Sequence, residues 1–190
     1  MNKKNNRPPK PKYLPSPPAG KFASPQPIAI GAVPDGKVVD FITGSFFNDT
    51  AEEYVRQNIE KALVRQYKYL ASDCSPEFRI KMGSAKPRVD IVVFGTGQSH
   101  EQTNAYILVE TKKPGTNRQN KEDGIGQLQS YLAASPNARF GLWTNGDDRV
   151  CFARREKGGR IYCEEIPDIS VSIRGIRGQR GYAIVPIRVH

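Results

Sequence analysis

The chain has 190 residues, 37% of them apolar, with 29 Lys or Arg against 19 Asp or Glu and a formal net charge of +10. That length allows one domain with a proper core and is short for two. No run of 18 apolar residues and no signal-peptide core is visible, so the expectation is a cytoplasmic chain with no membrane span and a polyanion for a partner.

Residues 1–27 hold eight prolines, six Lys or Arg and no acid. Such a segment cannot bury enough apolar surface to offset its ordering entropy, and it reads as a disordered, basic, Pro-rich arm. "GKVVDFITGSFFNDTAEEYVRQ" then reads as a short hairpin or strand leading into a helix. Asp49 or Thr50 serves as N-cap, and Glu52 and Glu53 fall in the first turn, where the helix dipole favours acids. Val55, Ile59, Ala62 and Leu63 recur at helical spacing, which carries the helix to about Tyr69.

"EFRIKMG" reads as a strand, Pro87 punctuates, and residues 88–94 and 105–112 follow as two more strands across a polar loop. "KKPGTNRQN" is a turn-rich connection, and "KEDGIGQLQSYLAAS" is a second helix stopped by Ser135-Pro136. "RFGLWTNGDDRVCFARR" is a strand, an Asn-Gly turn and a strand, continued by "GGRIYCEEI". The order predicts one α/β domain over 28–168, a central mixed β-sheet flanked by helices. Strands 88–94 and 105–109 are apolar on both parities, which makes them central and covered on both faces. Residues 169–190, with Arg174, Arg177, Arg180 and Arg188, have too little pattern to assign and read as a basic extension or linker. Cys74, Cys151 and Cys163 lack metal-ligand spacing and fit reduced thiols. Cys151 and Cys163 are able to face each other across a hairpin, or simply to pack in apolar surroundings.

Charges interrupt the two most strand-like segments. Asp90 breaks "RVDIVVF", and Glu110 and Lys112 break the end of "YILVETKK". Strand alternation sends Glu110 and Lys112 to one face and Thr111 to the other. On a neighbouring antiparallel strand, Asp90 lies beside Glu110. Two ionised carboxylates forced together repel, and burying them is costly unless a cation joins them. Oxygen donors suit Mg²⁺ or Mn²⁺ better than Zn²⁺. His100 and His190, the only histidines, lie in a loop and at the C-terminus, so His-based triads lack parts.

A Glu-x-Lys triplet arises about once by chance in a chain of this composition. Asp35-Gly-Lys37 is such a decoy, in a Gly/Pro loop. What distinguishes residues 110–112 is the apolar strand leading in and the partner Asp on the next strand. On a helical wheel Glu52 falls near the apolar face through Val55 and is expected to reach toward Asp90 and Glu110. Glu53 falls nearly opposite and is expected in solvent. Gln127 and Tyr131, spaced i, i+4, share a face of the second helix.

"RVDIVVF…YILVETKK" followed by "GQLQSYL" resembles the core of the PD-(D/E)xK nucleases. The helix "TAEEYVRQNIEKAL" and the strand "FGLWTNG" are similar to the N-terminal nuclease domain of type I restriction enzyme R subunits. The resemblance covers about residues 40–168 and implies a restriction-endonuclease-like fold and a metal-dependent endonuclease acting on DNA in a restriction or related defence system. It implies that Asp90 and Glu110, with the Thr111 carbonyl, bind Mg²⁺ or Mn²⁺. Lys112 would orient or activate the attacking water, and the Gln127/Tyr131 pair would support cutting. R subunits carry an ATP-driven motor, and no G-x-x-x-x-G-K-[ST] loop occurs in this sequence. The resemblance therefore implies further domains, or a motor, methylase or specificity subunit as partner. The competing readings are a catalytically silent DNA-binding or docking module with the same fold, and an RNA-binding adaptor. The second is disfavoured because only Tyr13 and Phe22 are aromatic in the arm.

Overall fold

A computed structural model describes residues 33–120 and 123–169. The basic arm 1–27 and the extension beyond Ile169 lie outside the described residues. A short hairpin, β1 (Lys37–Val39) and β2 (Phe46–Asn48), precedes helix α1 (Ala51–Arg65). Strands β3 (Cys74–Arg79), β4 (Arg88–Phe94) and β5 (Ala105–Thr111) follow. Helix α2 (Ile125–Ala134), then strands β6 (Phe140–Thr144), β7 (Arg149–Lys157) and β8 (Arg160–Ile166) complete the order.

Strands β3 to β8 form one sheet in sequence order. Every pairing in it is antiparallel except β5 with β6, which is parallel. A parallel pair needs a crossover, and α2 supplies it. β4 and β5 are buried along most of their length, as apolarity on both parities required. Alternation sorts their side chains into two cores. Ile91, Val93, Ile107 and Val109 pack with Leu63 of α1, Leu142 and Cys151. Val92, Phe94 and Leu108 pack with Leu128 and Leu132 of α2 and with Trp143. Each such aliphatic side chain, fully buried, contributes about 1.5–3 kcal/mol. Gly141 lets α2 come close, since a Cβ there would stand 2.7 Å from Leu132 Cδ1.

Thr50 is the N-cap of α1, its hydroxyl accepting from Glu53 N–H. The helix ends at Arg65, short of the expected Tyr69. Lys68 adopts a left-handed φ of 63°, which turns the chain. Tyr67 and Tyr69 thereby enter the core as connection residues rather than helical ones. Cys151 pairs across strands with Ile166, and Cys163 with Arg154, so the two cysteines do not face each other. All three cysteines are free, Cys74 and Cys151 being buried. Ile169 is buried in the core on the α1 side. Among the described residues no helix is long and apolar enough to cross a membrane.

Candidate active site

The antiparallel register pairs Ile91 with Val109 and Val92 with Leu108, and its continuation sets Asp90 opposite Glu110. Glu110 has the parity of Leu108, on the sheet face that α2 covers. Asp90 is fixed by its neighbour strand: Oδ2 accepts from Thr111 N–H at 2.6 Å and from Thr111 Oγ1 at 2.9 Å. Lys112 Nζ donates to Glu110 Oε1 at 2.7 Å, and both side chains are at least nine-tenths buried. Glu110 Oε2 is buried without a hydrogen-bond partner. A buried carboxylate oxygen left bare is costly, so something outside the described residues is expected to meet it.

The electrostatics follow from this crowding. Burial first, then the Asp90 charge, pushes the Glu110 carboxyl up to about 8, although Lys112 opposes the shift. Burial would lower the Lys112 pKa, but Glu110, Asp90 and Glu52 together hold it above its ordinary value. Lys112 is therefore a standing cation rather than a neutral base. Glu52, at the start of α1, is raised by burial and by Asp90, with Lys112 pulling the other way. It lies within electrostatic reach of the strand charges, and no hydrogen bond or ion pair joins it to them among the described residues. In α2, Gln127 Nε2 donates to the Tyr131 hydroxyl at 2.7 Å, and Gln127 Oε1 is buried without a partner. Burial, and after it the Glu110 charge, raises the Tyr131 pKa, so α2 brings this pair up to the carboxylates.

Glu53 corrects the expectation of a solvent-facing side chain. It is buried, and Arg56 Nη2 donates to its Oε2 at 2.7 Å while Gln57 Nε2 donates to its Oε1 at 2.8 Å. The reason is a second packed face of α1. The β1–β2 hairpin covers that face, with Gln57 Oε1 accepting from Phe41 N–H at 2.9 Å and the Arg56 guanidinium 4.1 Å from the Phe47 ring centre.

Two acids escaped the sequence reading. β3 pairs Pro76 with Ile91 and Phe78 with Val89, which leaves Glu77 alongside Asp90. Glu77 has a left-handed φ of 55°, costing about 1–3 kcal/mol in a non-glycine residue. Asp123, just before α2, acts with Glu77 on the Glu52 carboxyl. In "EFRIKMG" the alternation with Phe78, Ile80 and Met82 marks Glu77 as an ordinary outward acid, and Arg88 pairs with it at 2.6 Å. The long β3–β4 connection hid the register that sets it alongside Asp90.

The donor set fits a hard divalent cation. It is all oxygen, one of the oxygens is bare, and His100 is occupied elsewhere, stacked on Phe94 at 4.3 Å. Among the described residues no three His, Cys, Asp or Glu side chains are close-set enough to hold a metal unaided. Two carboxylates with waters or substrate oxygens completing the shell is the ordinary arrangement for Mg²⁺.

A mixed six-stranded sheet flanked by two helices, with acids and a lysine at the end of a central strand, defines a restriction-endonuclease-like α/β core. The chain belongs to the family described as type I restriction enzyme R protein N terminus, whose model matches residues 51–169. Membership supports a nuclease domain of a type I restriction system. Searches of curated proteins and of solved structures found no match.

Proposed function

We propose that this domain is a metal-dependent endodeoxyribonuclease that hydrolyses phosphodiester bonds where the start of β4 meets the end of β5. The observation that carries the reading is Glu110: a buried carboxylate on a central strand, paired with Lys112 through one oxygen and bare at the other. With Asp90 set opposite on the adjoining strand, that bare oxygen is available to a cation.

Asp90 and Glu110, with the Thr111 carbonyl and Glu52 at the rim, would hold Mg²⁺ or Mn²⁺. Such an ion, when bound, supplies Lewis-acid polarisation of the scissile phosphate. The chain's own groups do the rest. Thr111 clamps Asp90 Oδ2, so one carboxylate is oriented before any ligand arrives. Lys112, held charged by its acidic neighbours, stabilises the negative charge that grows on the phosphate as it is attacked, and orients the attacking water. Gln127 and Tyr131 fix each other and border the phosphate position. The domain's substrate is DNA, delivered by a motor, methylase or specificity partner or by further domains of a longer polypeptide.

The test is relaxation of supercoiled plasmid by the full chain, with Mg²⁺ or Mn²⁺ and with EDTA. Cutting that requires the metal and disappears in Asp90→Ala and Lys112→Ala, with the fold retained, is the expected result. Equal cutting by all three proteins would overturn it.

A further inference from the structure

At the opposite end of the sheet lies a cleft of about 560 Å³, built from the start of β5, the start of β6 and the middle of β7. Ala105, on its wall, precedes Glu110 by five strand residues, so the two sites stand roughly 17 Å apart along β5. Three arginines line it: Arg139, Arg154 and Arg155. No carboxylate lines it among the described residues.

The arginines differ in how they are held. Arg154 is half-buried, and its Nε donates to the Leu132 carbonyl at the end of α2 at 3.1 Å. That bond fixes the guanidinium plane and leaves its two terminal nitrogens without a hydrogen bond among the described residues. Arg139 is exposed and forms no ion pair among the described residues. The backbone bond from Arg154 N–H to the Arg139 carbonyl, 2.9 Å, keeps the two residues side by side. Arg155 is engaged with Glu164 at 2.7 Å, but both partners are about half exposed, so this pair is weak and exchangeable.

A planar, pre-oriented guanidinium in a concave site without acids is suited to a phosphate. The aromatic residues of the cleft decide what carries that phosphate. Tyr106 and Phe140 are each 9% exposed and packed edge to face at 5.6 Å, so neither offers a ring for a base to stack on. A mononucleotide would find its phosphate held and its base unsupported. We infer that this cleft is a second nucleic-acid contact, which grips backbone phosphates without reading bases at the end of the sheet away from the carboxylates. The inference concerns binding and does not depend on cutting.

The experiment measures binding of a fluorescein-labelled DNA duplex by the full chain in EDTA, across a salt series and for two unrelated base sequences. The proteins compared are wild type, Arg139→Gln, Arg139→Gln/Arg154→Gln and, as a reference for the other site, Asp90→Ala. Loss of two phosphate contacts should weaken binding by roughly tenfold or more. It should make the plot of log affinity against log salt shallower by about 1.8, equally for both sequences. Arg139→Gln alone, an exposed substitution that spares the fold, should give about half that change in slope. Unchanged affinity and slope in both arginine variants would overturn the inference. So would tight competition by thymidine monophosphate at the cleft with duplex binding unaffected by the substitutions, which would make it a small-molecule site. Failure of the nuclease reading would instead appear as metal-independent or absent cutting, with these binding differences intact.

Discussion

Thr111 binds the same Asp90 oxygen twice, through its amide and through its hydroxyl. Thr111→Val keeps the shape and the amide bond and removes only the hydroxyl's contribution, about 1 kcal/mol for a neutral donor and more to a charged acceptor. The expected outcome is a fold that melts within a few degrees of wild type and a cutting rate lowered about tenfold, read by plasmid relaxation under single-turnover conditions. Tyr131→Phe asks a related question in α2. It strands the Gln127 amide, whose carbonyl oxygen is already bare, and should cost about 1–3 kcal/mol in urea unfolding. Tyr131 was visible in the sequence through its i, i+4 spacing from Gln127. Thr111 was named only for its carbonyl, through the family resemblance, and its amide and hydroxyl bonds to Asp90 emerge only with the strand register. Glu77 was not visible, because an acid at a strand edge looks ordinary until its partner strand is known.

Helix α1 is where one-dimensional reasoning failed. Its wheel was read with one packed face, the one through Val55 and Leu63. The second face, through Glu53, Arg56, Gln57 and Glu60, is also buried, and its polarity disguised it as a solvent face. Arg56 Nη2 lies 2.7 Å from Glu53 and 3.4 Å from Asp40, and Asp40 Oδ1 in turn caps the Ile42 and Thr43 amides. Removing the cation leaves these carboxylates buried together, so Arg56→Ala should cost about 3–5 kcal/mol. Glu60 carries the pH signature of this network. Neither of its oxygens has a hydrogen-bond partner, and burial first, then Asp40, pushes its carboxyl from 4.5 up to about 9. The folded state therefore holds a proton that the unfolded state has released. The stability contributed by Glu60 is fully present below pH 4.5 and is lost as pH rises from 4.5 to about 9. Glu60→Gln should flatten the slope measured by urea unfolding across that range. Equal slopes in wild type and variant would contradict the buried, protonated state.

Over the whole molecule, apolar patterning and element order were enough to anticipate a mixed sheet with two apolar central strands and helices packed on it. The central strands show as unbroken apolar runs and the first helix as apolar residues at helical spacing, both of which the sequence displays. What sequence did not display was the partition of basic charge. Six of the 29 Lys and Arg fall in residues 1–27, whereas Arg139, Arg154 and Arg155 converge only because β6 and β7 pair. Deleting residues 1–27 should weaken DNA binding and reduce its salt dependence while leaving the metal requirement for cutting unchanged, since the carboxylates and Lys112 belong to the sheet.

The central claim is that Asp90 and Glu110 form a metal site against which Lys112 is poised. Manganese titration calorimetry on the wild type, Asp90→Ala and Lys112→Ala tests it most directly. The account predicts one binding event in the wild type, its loss in Asp90→Ala, and its retention or strengthening in Lys112→Ala, where a competing cation has been removed from Glu110. Equal manganese binding by the wild type and Asp90→Ala would contradict it.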